Sequence, residues 1–319
     1  MEPRLDLDQW APRRLLFVPL LAALLAVLSG CNVIALKQAG IERTLRDAGM
    51  APADVRLGAD TVHYWSGGHG PTVLLVHGFG ASASWLWYPQ VEDLARDHHV
   101  ILPDLLWFGD SRSDDRDFSL DHQVKAVEAL LDKLGEREVD VVGVSYGGLV
   151  AHELASDRPE ATRSVVIVDS PGRVYTHEDY RAVCRRFDVP DLNRVLVPHD
   201  AAGVKALLGL AYFEPPWIPE FALEQTLTSL YGTYHDEHRA LLDVLLHDMD
   251  RIEARPVTLR ARPLVVWGRD DPVFPVWVGE RLAYSLKAPM RILEKARHAP
   301  NLEHPEEFNR ILRGFLTSG

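Results

Sequence analysis

The chain has 319 residues, of which 47% are hydrophobic and 25% charged. This composition excludes a disordered, collagen-like or coiled-coil protein and leaves chain enough for a sizeable core. Its 46 acidic residues outnumber 34 basic ones, for a formal net charge of −12, so the basic footprint of a nucleic-acid binder is missing. Two cysteines cannot build a disulfide framework, and a mean hydropathy of −0.09 excludes a polytopic membrane protein while allowing one apolar segment.

That segment comes first. Arg13 and Arg14 precede residues 15–28, a run without charged or strongly polar side chains, and Leu28-Ser29-Gly30-Cys31 follows. A positive flank, a short apolar run and small residues at a cleavage point describe a secretory signal. The last four residues resemble the lipobox of bacterial lipoproteins. That resemblance implies removal of residues 1–30, a lipid on Cys31, and anchorage to a membrane on the periplasmic or extracytoplasmic side. Such attachment is stable because each buried CH₂ contributes about 0.8 kcal/mol. Apolar residues resume at Val33, so an uncleaved single-pass anchor over 15–36 is the alternative, about 20 apolar residues being enough to span. Residues 31–54 then read as a tether with a short helix over 41–47.

From Val55 onward, strand-length apolar runs alternate with helical stretches. A strand over 72–77 leads into His77-Gly78-Phe79-Gly80, and a helix over 85–96 follows. A strand over 100–104 enters the loop Asp104 to Ser111, followed by a helix over 122–134. A strand over 139–144 runs into Gly143-Val144-Ser145-Tyr146-Gly147 and a helix over 146–156; a strand over 164–168 comes next. Such alternation implies a parallel sheet with helices on both faces, and near-continuous apolar strands fit a sheet covered on both sides. The pattern breaks over 173–261, where helices are separated by Pro190, Pro198, Pro215, Pro216 and Pro219. It resumes with strands over 263–267 and 291–293 and helices over 277–286 and 306–315. The simplest organisation is one α/β core, 55–172 plus 262–319, with an inserted helical cap over 173–261.

The strongest chemical signal is the Gly-x-Ser-x-Gly around Ser145. Chance supplies on the order of 0.1 such matches in a chain this long, and its place between an apolar strand and a helix is that of a nucleophile elbow. The glycines let strand and helix approach closely around a serine in strained backbone. A serine hydroxyl needs a base, and His298 follows the last short strand. The base needs an orienting carboxylate, and Asp271 lies just past the strand over 263–267. Loops at the carboxyl ends of parallel strands meet along one sheet edge, and the chain order Ser, Asp, His is the one that goes with the elbow. Asp169 and Asp270 are the other candidates for the acid, since such triads are defined by geometry. Backbone N–H groups of Phe79 and Tyr146 are placed to form an oxyanion hole. His77 reads as a loop-shaping hydrogen-bonder rather than a base. His235-Asp236-Glu237-His238 lacks the spacing of a zinc site and reads as a solvated helix face. No metal and no cofactor are expected, and Cys184 reads as a buried bystander.

Together these motifs resemble the α/β-hydrolase family from about Val55 to the C-terminus. The resemblance rests on the HGFG loop, the loop from Asp104 to Ser111, the elbow, the acid loop with Gly268, Asp271 and Pro275, and the terminus with His298, Glu303, Pro305, Glu306 and Phe308. It implies an α/β-hydrolase fold: a mostly parallel sheet, helices on both faces and an inserted helical cap. Two positions depart from the family pattern, Trp107 and Arg297, each standing where glycine is usual. Serine at the elbow argues against haloalkane dehalogenases and epoxide hydrolases, which carry aspartate there. The cap is similar to that of monoacylglycerol-lipase-like enzymes, which implies an acyl pocket near Leu207, Leu208, Tyr212, Phe213, Trp217 and Ile218, although ordinary cap core is the plainer role for most of these. The implied activity is cleavage of carboxylic esters, acyl or lipid-like, through an acyl-enzyme. The implied partners are a small ester or lipid substrate and a membrane through the N-terminal anchor, with no nucleic acid. The same side chains serve carbon–carbon bond hydrolases, aminopeptidases and cofactor-free haloperoxidases. A non-enzymatic binding module is the remaining class, and the presence of a competent residue at every position argues against it.

Overall fold

The computed structural model describes residues 32–80, 82–255 and 259–318; Cys31 and the signal expected over 1–30 lie outside the described residues. Strands β1 (Met50–Leu57) and β2 (Asp60–Gly68) form an antiparallel hairpin, and β2 pairs antiparallel with β4 (His99–Pro103). From β4 onward the sheet is parallel, through β3 (Thr72–Val76), β6 (Val139–Val144), β7 (Thr162–Val168), β8 (Arg262–Gly268) and β9 (Met290–Leu293). The order is β1-β2-β4-β3-β6-β7-β8-β9, and a two-residue strand, β5 (Arg112–Ser113), pairs with β2.

The apolar strand runs are explained by what covers each face. Alternate side chains point to opposite sides of a sheet. Val73, Leu75, Val142, Val144, Val166 and Val266 join one core with α1 (Val33–Asp47), α2 (Ala83–Leu94) and α13 (Pro305–Leu316). Leu74, Val76, Val141, Val165, Ile167 and Val265 join the other with α3 (Leu120–Leu134), α4 (Tyr146–Asp157) and α11 (Val276–Leu286). With both faces buried these positions are apolar, and polar strand residues that are buried, such as Asp140 and Ser164, hydrogen-bond each other.

The N-terminal reading needs correction. The segment expected to be a tether with a helix over 41–47 is a full helix from Val33, followed directly by β1. Asn32 caps it by accepting from the Ala35 N–H. Ile41 and Leu45 are buried in the core, so docking rather than intrinsic amphipathicity holds α1 in place. Among the described residues no helix is long and apolar enough to cross a membrane.

Between β7 and β8 lies the helical segment: α5 (His177–Phe187), α6 (Asn193–Leu196), α7 (Ala201–Ala211), α8 (Glu220–Thr226), α9 (His235–His247) and α10 (Met249–Glu253). A buried ion cluster ties it down. Glu153, fully buried on α4, accepts from Arg173 at 2.5 and 2.9 Å and from Arg255 at 2.7 Å. Arg255 also reaches Asp121 on α3 at 2.6 Å. Removing one partner of such a buried set leaves an uncompensated charge, which is far costlier than losing a surface pair.

Candidate active site

The site forms where β6, β8 and β9 end. Ser145 sits between β6 and α4 with φ 55° and ψ −122°, a backbone region that disfavours any residue with a Cβ. Its N–H donates to the Val168 carbonyl at 2.9 Å. Space around the turn exists only because of glycine. A Cβ on Gly147 would run into the carbonyl oxygens of Val76 and His77, and one on Gly143 into the Gly147 carbonyl. Gly147→Ala is therefore expected to lower stability in urea unfolding by about 1–3 kcal/mol. By contrast, Gly314→Ala on α13, where a Cβ meets nothing within 4 Å, should raise stability by about 0.5–1 kcal/mol.

Three loops converge on this serine. His298 Nε2 lies 2.9 Å from Ser145 Oγ, and His298 Nδ1 lies 2.8 Å from Asp271 Oδ2. The other Asp271 oxygen accepts the N–H groups of Val273 at 2.7 Å and Phe274 at 3.1 Å. With Asp271 acceptor-only, Nδ1 carries the imidazole hydrogen and Nε2 is left to accept from the serine hydroxyl. The carboxylate is buried and the histidine nearly so. Of the other acids considered, Asp270 is exposed and does not reach the histidine. Asp169 is fully buried and accepts the Gly268 N–H at 2.9 Å. It makes no hydrogen bond to His298, and burial together with the nearby Asp271 charge pushes its carboxyl well above the usual range.

The glycine-rich loop after β3 presses against the same serine. A Cβ on Gly78 would stand 3.0 Å from that of Ser145. The Phe79 ring is held edge-on by Phe108 at 5.1 Å and Tyr146 at 5.4 Å. His77 accepts the Leu105 N–H on Nε2 at 2.9 Å and donates from Nδ1 to the Gly78 carbonyl at 2.7 Å. Burial lowers its pKa to about 4, so it stays neutral and shapes the loop.

Both departures from the family pattern tie the cap to the core. Trp107 adopts φ 63° and offers its carbonyl to His238 Nε2 at 2.8 Å. His238 is buried, stacks on Phe108 at 4.3 Å and is held neutral, its pKa lowered by burial to about 4. His235 instead reaches His199 at 3.1 Å. His238 thus docks α9 on the core, while Asp236 stays exposed, as expected of a solvated helix face. Arg297 donates to the Gly209 carbonyl on α7 and stands over the Phe213 ring, while the N–H of His298 donates to the Leu210 carbonyl at 3.2 Å. Among the described residues, the group with metal-like spacing is His63, Asp104 and Asp110. Burial pushes Asp104 up to about 6, although its oxygens accept the N–H groups of Ala83 and Asp110.

Of the six cap residues proposed for substrate, Leu207, Leu208, Tyr212 and Ile218 line a cavity of about 460 Å³ that includes Ser145 and His298. Phe213 and Trp217 do not. The Phe213 N–H is held by Glu303, and Trp217 is 87% exposed. Cys184 is buried in α5. A second cavity, about 100 Å³, also opens on Ser145 and is walled by Leu242, Leu246 and Met249. Their helical spacing is visible in the sequence, but such a stripe usually marks core.

Comparison with known proteins places this geometry. Monoacylglycerol lipase abhd6-A of Xenopus laevis is 27% identical over 262 residues, covering 79% of this chain and 77% of its own. The 2-hydroxymuconate semialdehyde hydrolase of Pseudomonas sp. (strain CF600) is 26% identical over 258 residues, 78% of this chain and 88% of its own. The crystal structure of a membrane phospholipase A, a bacterial virulence factor, matches with a TM-score of 0.76 at 27% identity, covering 95% of this chain and 98% of that one. Residues 73–311 match the alpha/beta hydrolase family, and the chain belongs to that family.

Proposed function

We propose that the protein is a serine hydrolase that cleaves carboxylic esters with acyl or lipid-like chains. The observation that carries this reading is the hydrogen-bonded chain Ser145–His298–Asp271 opening onto apolar cavities. Ser145 Oγ attacks the ester carbonyl while His298 Nε2 takes its proton. The N–H groups of Phe79 and Tyr146 hold the oxyanion, each donor accounting for about 10²–10³ in rate. His298 then protonates the leaving alcohol, and water, deprotonated by the same histidine, releases the acid from Ser145. Asp271 keeps the imidazole oriented and stabilises the imidazolium. The relatives that are lipases support the ester, and the 2-hydroxymuconate semialdehyde hydrolase keeps carbon–carbon cleavage as the second outcome of the test.

The N-terminal sequence extends the reading to location. A lipid on Cys31, or an uncleaved anchor over 15–36, would hold the hydrolase at a membrane on the extracytoplasmic side. What supports this is the sequence alone: Arg13-Arg14, the apolar run over 15–28 and Leu28-Ser29-Gly30-Cys31.

A chain-length series of monoacylglycerols and p-nitrophenyl esters, run beside a vinylogous diketone, tests the activity. Esters are expected to be hydrolysed, and a fluorophosphonate probe to add one adduct at Ser145 by mass spectrometry. Turnover of the diketone alone sinks the ester assignment; an unlabelled Ser145 in folded protein sinks the nucleophile.

A further inference from the structure

Helix α7 is apolar but not enclosed. Lys205 is the one charged residue among its eleven, yet Val204 alone is buried. A helix this apolar is normally covered, by other protein or by lipid. Its inner side, with Leu207, Leu210 and Ala211, lines the cavity of Ser145 and His298. Its outer side, with Ala202, Ala206 and Gly209, lines an open groove of about 900 Å³. The rest of that groove is the loop from Pro215 to Pro219 and the start of α8, with Glu220 and Leu223. Trp217 in this loop is 87% exposed, and Pro215 and Pro216 are exposed beside it. Leu208 and Ile218 line both the groove and the catalytic cavity, so apolar walls continue from the outer surface to the chamber of Ser145.

Two features point to the material that covers this face. The first is its chemistry. Large exposed apolar patches mark interaction sites, and a tryptophan in one suits the boundary between water and lipid, with an apolar ring and a polar N–H. The groove carries one cation, Lys205, and one anion, Glu220, so charge selects no partner. The second is where the N-terminal segment joins the fold. The Val33 N–H donates to Gln225 Oε1 on α8 at 2.8 Å, two residues beyond Leu223 of the groove. In the sequence, Asn32 alone separates Val33 from Cys31. The membrane anchor proposed above therefore enters the fold at the helix that forms part of the groove.

We propose that the outer face of α7 and the Trp217 loop rest in the surface of a lipid bilayer, and that the ester passes from the bilayer between Leu208 and Ile218 to Ser145. Burial of apolar area, with Trp217 at the level of the headgroups, holds this face in place. Neutral lipids suffice, because the contact uses no net charge. The inference rests on the ester-hydrolase reading and narrows its substrate class to esters dissolved in a membrane.

The test places the full chain on phosphatidylcholine vesicles, with or without bromine on the acyl chains, and reads tryptophan emission. Bromine quenches indoles that reach the lipid. Wild type should lose a larger fraction of its emission than Trp217→Phe, even where the N-terminal segment holds both on the vesicle. Ala202→Glu combined with Ala206→Glu then puts two carboxylates, at exposed positions, on the face that meets lipid, where charge is costly. This variant should lose about tenfold in kcat/KM for monooleoylglycerol carried in the vesicles. Its kcat/KM for p-nitrophenyl butyrate in solution should stay within about twofold of wild type. Tyr284→Glu, at an equally exposed site on α11, should change neither. Equal quenching of wild type and Trp217→Phe, or vesicle activity unmoved by the glutamates, overturns this inference and leaves the ester reading standing. A solution dimer that the glutamates dissociate overturns it too, since a second copy then covers the groove. Wild type that hydrolyses neither ester overturns the ester reading, and the quenching comparison, which needs no turnover, still judges the surface.

Discussion

Ser145→Ala is expected to lower kcat/KM for p-nitrophenyl esters by about 10⁴-fold or more while the protein stays folded. That is about 5.5 kcal/mol of lost transition-state stabilisation. Alanine removes the one oxygen that His298 Nε2 faces at 2.9 Å and leaves the imidazole with nothing to deprotonate but water. Residual rate would come from the Phe79 and Tyr146 N–H groups and from substrate binding, neither of which the substitution touches. A second variant separates chemistry from strain. Any residue with a Cβ pays for φ 55°, ψ −122° at this turn, and glycine does not. Ser145→Gly should be as inactive as Ser145→Ala yet more stable than it by about 1 kcal/mol in urea unfolding. Equal stability of the two variants would mean that the elbow stores no strain. Activity within tenfold of wild type in either one would remove Ser145 from the mechanism.

How much of this was legible in the sequence depended on whether a residue's environment is local. The parallel strands were readable because both of their faces are covered, which forces nearly continuous apolar runs such as the one that follows Thr72 in β3. The β1–β2 hairpin was not. β1 is an edge strand, mostly exposed and carrying Pro52, so it shows neither an apolar run nor a clean alternation. Its one local signal is the two-residue turn at Gly58, where φ is +68°. Helix α1 was hidden for a different reason. Its first apolar residues continue the pattern of 15–28 in the sequence, but in the fold Ile34 turns toward a cavity and the Val33 N–H bonds Gln225.

The Ser–Asp–His order was legible because strand-end loops converge by topology alone. What surrounds those three side chains was not. Arg297 looked like a departure of unknown effect, and its role becomes visible only with the α7 carbonyls beside it. The second cavity depends on α9 and α10 folding over Pro171 and Tyr175, residues far away in the chain. The neighbour of the acid was read as a competitor for its position, whereas the two carboxyls sit together.

That pair leads to the other large effect. Asp271→Asn is expected to lower kcat by about 10⁴-fold, because an amide cannot accept from His298 Nδ1 and also satisfy the Val273 and Phe274 N–H groups with one oxygen. If its NH₂ faces Nδ1, the imidazole hydrogen moves to Nε2 and the Ser145 hydroxyl loses its acceptor. Asp169→Asn should behave quite differently. Burial first, and the Asp271 charge second, hold the Asp169 carboxyl well above the usual carboxylate range, which favours its protonated form, an O–H, beside Asp271. An amide N–H can replace that O–H, and activity should stay within about tenfold of wild type. The stability of the two proteins should then diverge with pH. A carboxyl whose folded pKa lies above its unfolded value binds its proton more tightly when folded. Its contribution is full below the ordinary carboxylate range, about pH 4, and is lost as pH rises toward the raised value. The asparagine does not titrate. Urea unfolding should therefore show Asp169→Asn gaining on wild type between pH 4 and pH 8; a constant difference would mean that Asp169 is ionised in the native protein and that the two carboxylates share the site without a proton.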